Sequence, residues 1–449
     1  MGQTALGSSQ LWKLAEQVTP GGINTSLRKL RQPVVFTRAK GARMWDAEGN
    51  EYIEYHNGFG PVILGHCHER VNARVFAALQ EIDVVGAGTT LLEIELAQKL
   101  TEYVPSCEMV HLCNIGSEAT FHAVRLSRAY TGRTEFIKIQ GAYNGWHDYL
   151  AMNFGGSTRG PELYQPTPLS AGALEDAYKH THVVPFNDLD AVHAVWNETK
   201  GQVAGIILEP IMHNVGCIMP QPDYLANLRQ YCTERGIVLV FDEVITGFRH
   251  ALGGYQSICG VTPDLTTLAK AMANGYPIAA ICGKRALMEQ FNTTSKGKVM
   301  FAGTYNGHTL SCAAALATIE ELEGGEIHRH LYALGDRLRN GLNEIIQRLR
   351  LKAFAAGHGS IWNVYFMDPE KPVRSYVDLL DHNVGQEQMF RALLMGDGIF
   401  TIPYPMKRNY ICAAITDADI DRTLNVAEAA LIKIAREGSS QKMKAGELI

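Results

Sequence analysis

The sequence predicts an α/β fold with a large, mostly parallel sheet of seven strands and a second, smaller α/β domain. Between about residues 109 and 283, short apolar runs alternate with stretches of helical periodicity. The central run, residues 237–241, is apolar without polar alternation, as in a strand buried on both faces. Past Gly324, a long helical pattern leads into a further, smaller α/β region.

The elements follow in order along the chain. A short amphipathic helix over residues 9–18 precedes extended segments that are joined by the turn residues 46–50. Helices are expected near residues 68–81 and 91–103, and a long one over residues 327–349. The seven strand candidates are residues 109–112, 135–139, 182–184, 203–208, 237–241, 265–268 and 279–282. Residues 154–175, rich in Gly, Ser, Thr and Pro, predict a long loop of the kind that often forms a lid.

We predict three divisions of the chain. Residues 1–60 form an N-terminal segment that joins the small domain, residues 61–324 form the large domain, and residues 325–449 form the C-terminal small domain. The last residues, 438–449, are polar and are expected to be frayed.

The composition excludes several classes of function. Of 449 residues, 46% are hydrophobic and 19% are charged, as in an ordinary soluble globular protein. A formal net charge of −5 provides no basic surface for nucleic acid, and no apolar run approaches the roughly 20 residues that cross a bilayer. No secretory signal is visible, and the nine cysteines lack CxxC spacing. We therefore expect a cytoplasmic protein with reduced cysteines.

Two charged residues end apolar runs and suggest a cofactor. Asp242 follows the central run, where ligands of open α/β sheets bind, and it is expected to lie beside a ligand cation. Lys270 ends a second apolar run; burial lowers the pKa of an ammonium, and a neutral amine can attack a carbonyl. Pyridoxal phosphate offers an aldehyde to such a lysine and a ring nitrogen to such an aspartate. Taken separately, a capping Asp and a solvated Lys are the ordinary interpretations.

Three glycine-rich segments are candidates for phosphate and ring contacts. Gly116 and Ser117 begin a helix after a predicted strand, where backbone N–H groups suit a phosphate, although a plain helix cap has the same pattern. Tyr143 is placed either to stack on a flat ring or to anchor its loop. Thr304, in a turn before an Ala-rich helix, either donates to a phosphate or belongs to a simple connection.

With these motifs in place, the chain resembles the class III aminotransferases of pyridoxal phosphate fold type I. Within them it is most similar to the branch that contains glutamate-1-semialdehyde 2,1-aminomutase. The resemblance runs from about residue 20 to about residue 424, and its most specific parts are residues 114–119, 241–244 and 268–270. It implies pyridoxal 5′-phosphate as cofactor, a small domain built from the N- and C-terminal segments, and a homodimer with shared active sites.

The resemblance implies a role for each residue around the cofactor ring. Lys270 would form the Schiff base and carry the proton, and Asp242 would hold the pyridinium N–H. Val244 would pack on the ring face opposite Tyr143.

Other matching positions would bind the phosphate and the substrate. Gly116 and Ser117 would bind the phosphate, and Thr304 would reach the phosphate of the neighbouring subunit. Glu209 matches a family acid near the cofactor. Arg28 matches the arginine that meets the substrate carboxylate, which an arginine can do with a bidentate fork; a solvated loop arginine is the alternative.

The chain departs from the aminomutase pattern at several positions, one of them in a stretch that helps to position the diamino intermediate in that branch. Lys407 and Arg408 stand where the pattern has an acid, Phe59 stands in place of a Trp, and Asn144 in place of the usual His. A base there disfavours a second ammonium and favours a second carboxylate or another anionic group. We therefore expect Arg28, Phe59, Lys407 and Arg408 to bind a carboxylate-bearing substrate.

The expected activity is transfer of an amino group between a carboxylate-bearing amine, of the amino acid or β-amino acid type, and an oxo acid, by a ping-pong Schiff-base mechanism. The alternatives are the aminomutase, another pyridoxal phosphate reaction such as racemisation or decarboxylation, and a non-catalytic α/β binding protein. A metal site at His66 and His68 is set aside, because no further ligand is spaced for zinc.

Overall fold

The computed structural model describes residues 6–30, 32–156 and 159–437. The segment 438–449, predicted to be frayed, lies outside the described residues. Within the described parts, the helices are α1 Ser8–Val18, α2 Glu69–Glu81, α3 Leu91–Tyr103, α4 Gly116–Thr131, α5 Glu175–Tyr178, α6 Leu189–Glu198, α7 Tyr224–Arg235, α8 Gly254–Cys259, α9 Arg285–Met288, α10 Thr309–Leu322, α11 Glu326–Arg348, α12 Val384–Gly396 and α13 Asp417–Glu437.

The strands of the described residues fall into three sheets. They are β1 Phe36–Lys40, β2 Arg43–Asp46, β3 Glu51–Glu54, β4 Met109–Cys113, β5 Glu135–Ile139, β6 Thr181–Val184, β7 Val203–Leu208, β8 Val238–Asp242, β9 Leu265–Leu268, β10 Ala279–Gly283, β11 Phe354–Ala356, β12 Ile361–Tyr365, β13 Ile399–Phe400 and β14 Asn409–Tyr410. The seven predicted strands of the large sheet, β4 to β10, are all present.

The seven-stranded sheet has the order β4-β10-β9-β8-β7-β5-β6. The strands from β9 to β6 pair in parallel, and β10 is antiparallel to both of its neighbours, β4 and β9. Every residue of β7 and of β8 is buried, as expected for strands covered on both faces. The mostly parallel α/β architecture predicted from the sequence is therefore confirmed.

Helix α4 packs closely on this sheet. Its Ala123 and Leu126 lie in the same buried cluster as Val240 of β8 and Ile281 of β10. A Cβ added to Gly205 on β7 would lie 2.6 Å from a ring carbon of Phe136 and 3.1 Å from the hydroxyl of Ser127 on α4. Because helix and sheet approach this closely, the N-terminus of α4 is held at the edge where the strands end.

Two compact units divide the chain. One takes its described residues from Met1–His68, Leu331–Asp368 and Asn383–Met443, and the other from Glu69–His330 and Pro369–His382. The first contains a four-stranded sheet, β1-β2-β3-β13, and a three-stranded one, β11-β12-β14; the second contains the seven-stranded sheet. The domain limits predicted at residues 60 and 324 stay a prediction.

The described residues add two observations on membranes and metals. No helix among residues 6–30, 32–156 and 159–437 is long and apolar enough to cross a membrane. Within those same ranges, no group of three His, Cys, Asp or Glu side chains is arranged to hold a metal ion. His66, which the sequence placed in a possible metal motif, instead contacts the buried carboxylate of Glu54 at 3.2 Å.

Candidate active site

The site begins with Asp242, the last residue of β8. Its side chain is 4% exposed. One carboxylate oxygen accepts from the side-chain amide of Asn144 at 2.7 Å, and the other from the Thr267 hydroxyl at 3.2 Å and the Val244 N–H at 3.1 Å. Burial raises the pKa of Asp242, while these donors and the charge of Lys270 lower it. Three neutral donors thus orient the Asp242 carboxylate, and the charge of one nearby cation, Lys270, lowers its pKa.

Lys270 lies at the same edge of the sheet. It follows β9, the strand that pairs in parallel with β8, with Asp242 opposite Thr267. Its backbone has a φ of 47°, in the left-handed region, where residues with a side chain are uncommon. Such strained positions concentrate at functional sites, because the surrounding structure must hold them. The structure therefore brings the two sequence candidates, Asp242 and Lys270, together at the carboxyl ends of neighbouring strands.

The neighbouring acid, Glu243, is also buried. It is 0% exposed, and neutral donors bind its carboxylate. They are the backbone N–H groups of Tyr255 and Gln256 at the start of α8, the side-chain amide of Gln256 and the hydroxyl of Thr246. Hydrogen-bond donors thus replace a counter-ion, although burial still raises the pKa of Glu243.

The N-terminus of α4 provides the candidate phosphate site. Gly116 is its first residue, and a Cβ placed there would lie 2.9 Å from a methyl of Val244. The first N–H groups of a helix have no partner within the helix, and they suit an anion. The hydroxyl of Ser117 accepts the N–H of Trp146 at 3.2 Å. Gly116, Ser117 and Val244 therefore lie side by side, with space that only a glycine leaves open.

Tyr143 belongs to the same group of residues. Burial raises the pKa of its phenol most, the nearby Ser117 hydroxyl lowers that pKa, and the Asp242 charge raises it. Its ring meets the ring of Phe154 edge to face at 5.4 Å between centroids. Tyr143 is thus close both to the helix N-terminus and to the acid.

Glu209 is connected to these residues by hydrogen bonds of the segment that follows it in the chain. Its carboxylate is 2% exposed and accepts the backbone N–H groups of His213 and Asn214 and the side-chain amide of Asn214. The Asn214 amide also donates to the carbonyl of Tyr143 at 3.4 Å. These contacts connect Glu209 to Tyr143 through Asn214.

Thr304 stands apart from these contacts. It is exposed in the turn before α10. Two residues later, the Asn306 side chain accepts the amide of Asn114 at 3.1 Å, which ties the turn to the segment that precedes α4. The hydroxyl of Thr304 therefore remains accessible at the surface of this unit.

The four predicted substrate residues lie within the other compact unit, and contacts connect them. The guanidinium of Arg408 donates to the hydroxyl of Tyr410, which donates to the carbonyl of Phe59 at 3.1 Å. Tyr404 donates to the carbonyl of Ser26 at 3.0 Å, two residues before Arg28. The turn that carries Lys407 and Arg408 therefore contacts both of the other segments.

A buried ion pair anchors that turn. Arg391 and Glu387 on α12 form a contact of 2.6 Å, with side chains only 5% and 1% exposed. Arg391 also donates to the carbonyls of Ile402 and Lys407, and Glu387 accepts the N–H of Met406. Charged groups inside the protein thus hold the backbone on both sides of the turn.

The electrostatics of this region are positive. The imidazole of His56, whose ring lies 4.2 Å from the ring of Phe59, has its pKa lowered to about 3. Burial is the main cause, followed by the charges of Arg408 and Arg28. The charges of Arg408 and Arg28, which add to the effect of burial on His56, would also oppose a bound ammonium and attract a carboxylate.

Sequence analysis missed several contributors to the site. Asn144 was noted only as a departure from a pattern, and its bond to Asp242 was not foreseen. Thr267 carried the signal of a hydroxyl in an apolar strand, next to the strand that ends in Asp242. Asn214 carried no local signal, because its contacts depend on the folding of its loop.

Comparison with known proteins identifies related chains. The class III aminotransferase family matches residues 26–430. The glutamate-1-semialdehyde 2,1-aminomutase of Methanosphaera stadtmanae is 36% identical over 428 residues, covering 95% of this chain and 98% of the relative. The omega-transaminase of Sphaerobacter thermophilus has a TM-score of 0.89 at 30% identity, covering 97% and 99% of the two chains. The internal aldimine form, with pyridoxal phosphate, of the FumI protein of Sphingopyxis sp. MTA144 has a TM-score of 0.84 at 26% identity, covering 98% of this chain and 99% of that protein.

The raised pKa of Asp242 predicts a pH-dependent stability of the cofactor-free protein. At a pH between the ordinary pKa of an aspartate and the raised pKa of Asp242, the folded protein binds more protons at this carboxyl group than the unfolded chain does. Raising the pH from about 4 to about 8 should therefore lower the free energy of unfolding of the wild type relative to Asp242→Asn. Urea unfolding at each pH measures the difference, with the exposed Asp190→Asn on α6 as control. A free energy of unfolding of the wild type that stays level or rises relative to that of Asp242→Asn over this pH range would contradict the assignment.

Proposed function

Because the chain belongs to the class III aminotransferases, we propose that it transfers an amino group between a carboxylate-bearing amine, of the amino acid or β-amino acid type, and an oxo acid. The enzyme has fold type I and uses pyridoxal phosphate. When bound, pyridoxal phosphate supplies an aldehyde that condenses with amines and a ring that accepts electrons from the carbon losing its proton. The observation that carries the proposal is the buried Asp242 carboxylate, with the Lys270 charge acting on it at the ends of paired strands.

The residues of the site fit this cofactor. Asp242 would face the ring nitrogen and keep it protonated, with Asn144 and Thr267 fixing the direction of the carboxylate. Lys270 would join the cofactor as its amine and then move the proton at the substrate carbon; a positioned base contributes about 10² to 10⁴ in rate.

The contacts around α4 fit the phosphate and the faces of the ring. The N-terminus of α4 would hold the phosphate with Gly116 and Ser117, and Val244 and Tyr143 would pack on the two ring faces. The contacts of Glu209 with its loop support an indirect role, in which it fixes the loop behind Tyr143.

The substrate carboxylate is assigned to Arg28, with Phe59, Lys407 and Arg408 in the surrounding region. The support is the positive field at His56, to which both Arg28 and Arg408 contribute. An arginine binds a carboxylate through two parallel N–H bonds, which fixes the orientation of the substrate as well as its charge.

The aminomutase reaction is the second candidate, because the relatives at 36% to 37% identity carry that name. It would require the site to accept a substrate with a second amino group. The positive field at His56 opposes a second ammonium and is the reason that we favour transfer to an oxo acid.

We further propose a homodimer with shared active sites. Large apolar side chains are exposed near one cleft of about 380 Å³, which is lined by Ile94 of α3 and Phe301, among others. Ile94 is 45% exposed and Met300 70% exposed. A second copy of the chain would cover this surface, and the exposed Thr304 would then contact the neighbouring phosphate.

The nine free cysteines support a reducing compartment, the cytoplasm.

Replacing Lys270 tests the catalytic assignment. Lys270→Ala should lose the visible absorbance of the bound cofactor and reduce turnover by at least about 10²-fold, because no other amine would replace the base. Absorbance spectra and a screen of amine donors, each with and without an added oxo acid, measure both effects.

Lys284→Ala is the matched control, since Lys284 is a half-exposed lysine paired with Asp264. Normal turnover in Lys270→Ala would overturn the catalytic role of this lysine. Turnover by the wild type without an oxo acid would favour the aminomutase.

Replacing Arg28 tests the carboxylate assignment. Arg28→Met should raise KM for a carboxylate-bearing donor by about 10- to 100-fold, because a charge-assisted hydrogen bond is lost. The same variant should leave the kinetics of a donor without a carboxylate unchanged. Steady-state assays with a matched donor pair check this, with Arg38→Met, an exposed arginine over the Trp45 ring, as control. Equal losses on both donors would refute the assignment.

Charged substitutions on the apolar surface test the dimer. The double variant Ile94→Glu and Met300→Glu should shift the mass measured by light scattering from two chains to one, because burying two carboxylates in an interface is costly. Leu174→Glu, at a position 69% exposed, should remain a dimer. A double variant that keeps the mass of two chains would place the interface elsewhere.

A further inference from the structure

Lys138 is a buried charged residue to which neither the sequence motifs nor the proposed reaction assign a role. It lies on β5, and its side chain is 0% exposed. Lysine is almost never fully buried unless its ammonium is paired. Its position inside the unit that contains Asp242 and Lys270 therefore calls for a physical reason.

The reason lies in three backbone carbonyls. The Lys138 amine donates to the carbonyls of Ala142 at 3.1 Å, Leu150 at 3.2 Å and Met152. An ammonium has three N–H donors, and each of them here has an acceptor. A neutral amine has only two, so that one of the three buried carbonyls would lose its partner. The arrangement matches the charged form of the side chain.

These carbonyls lie at both ends of one loop, residues 141–152. The first belongs to the residue immediately before Tyr143, and the other two belong to the returning end of the loop. Between them lies Asn144, whose amide donates to Asp242 at 2.7 Å. Lys138 thus fastens both ends of the segment that carries the candidate ring-stacking residue and the partner of the acid.

We propose that Lys138 is a positioning residue, whose buried ammonium fixes the 141–152 loop on β5 and thereby fixes Tyr143 and Asn144 at the cofactor site. The role in catalysis rests on the proposed function, but the fixing of the loop does not. Lys138 acts through the backbone of the loop, whose carbonyls accept its three N–H groups.

Burial and charge act in opposite directions on the Lys138 ammonium. Burial lowers the pKa of Lys138 to about 7, and the negative charge of Glu209 favours its ammonium form. His147, on the same loop, has its pKa lowered to about 3 by burial and by the Lys138 charge, so that it stays neutral near pH 7. Glu209 therefore supports the 141–152 loop in two ways. Its charge favours the ammonium form of Lys138, and it binds Asn214, which donates to the carbonyl of Tyr143.

Lys138→Met tests the proposal, because it keeps a long apolar stem and removes the three donors. In the cofactor-free variant, hydrogen exchange should show about tenfold faster exchange for the amides of residues 142–152. The dissociation constant for pyridoxal phosphate should rise by about tenfold.

The matched control is Arg339→Met, which removes another buried cation that donates to two carbonyls, those of Gly359 and Ile361. It should lower stability but leave the exchange of the 142–152 amides and the cofactor affinity unchanged. Unchanged exchange in the loop of Lys138→Met would overturn the proposal, whatever reaction the enzyme catalyses.

The wild type provides a second test if Lys138→Met does not fold. In the cofactor-free wild type, the 142–152 amides should exchange at least about tenfold more slowly than those of residues 159–174, since the three carbonyls to which Lys138 donates all belong to the first segment. Equal exchange in the two segments would refute the proposal without any variant.

Discussion

The site depends on a carboxylate, that of Asp242, held inside the protein at the end of a fully buried strand. Burial raises the pKa of this acid, and the three donors from Asn144, Thr267 and Val244 offset part of that effect. Each donor comes from a different part of the chain: a loop, the neighbouring strand and the residues that follow β8. One arrangement therefore keeps the buried Asp242 carboxylate in its orientation. It consists of the sheet, the 141–152 loop and the left-handed backbone at Lys270.

Buried charged side chains and exposed ones have different functions in this protein. Lys138 and the Arg391–Glu387 pair are buried, and they hold backbone carbonyls and N–H groups of turns that carry candidate functional residues. Arg28 lies at the surface of its unit, where a charge remains available to a substrate. A cation that is fully occupied by backbone carbonyls fixes geometry, whereas one that remains accessible can recognise a ligand.

The sequence predicted the fold well, because strand burial is a local property. The seven apolar runs matched the seven strands of the large sheet, and parallel strand order then placed Asp242 and Lys270 at one edge. The sequence could not predict contacts between distant segments. The bond from Asn144 to Asp242 joins residues 98 positions apart, and nothing local to either residue indicates it. Lys138, in the strand 135–139, gave no sign that carbonyls from a later loop would surround it.

The two adjacent acids at the end of β8 have partners of different kinds. Consecutive residues of a strand face opposite sides, so that Asp242 meets Asn144 and Thr267 while Glu243 meets the start of α8. Two of the three bonds to Asp242 come from the side chains of Asn144 and Thr267, which substitution can alter one at a time. Glu243 accepts from two side chains and also from two backbone N–H groups, which substitution leaves in place. A protein engineer who wishes to adjust the electronic character of the bound ring thus has two adjustable neighbours around the first acid.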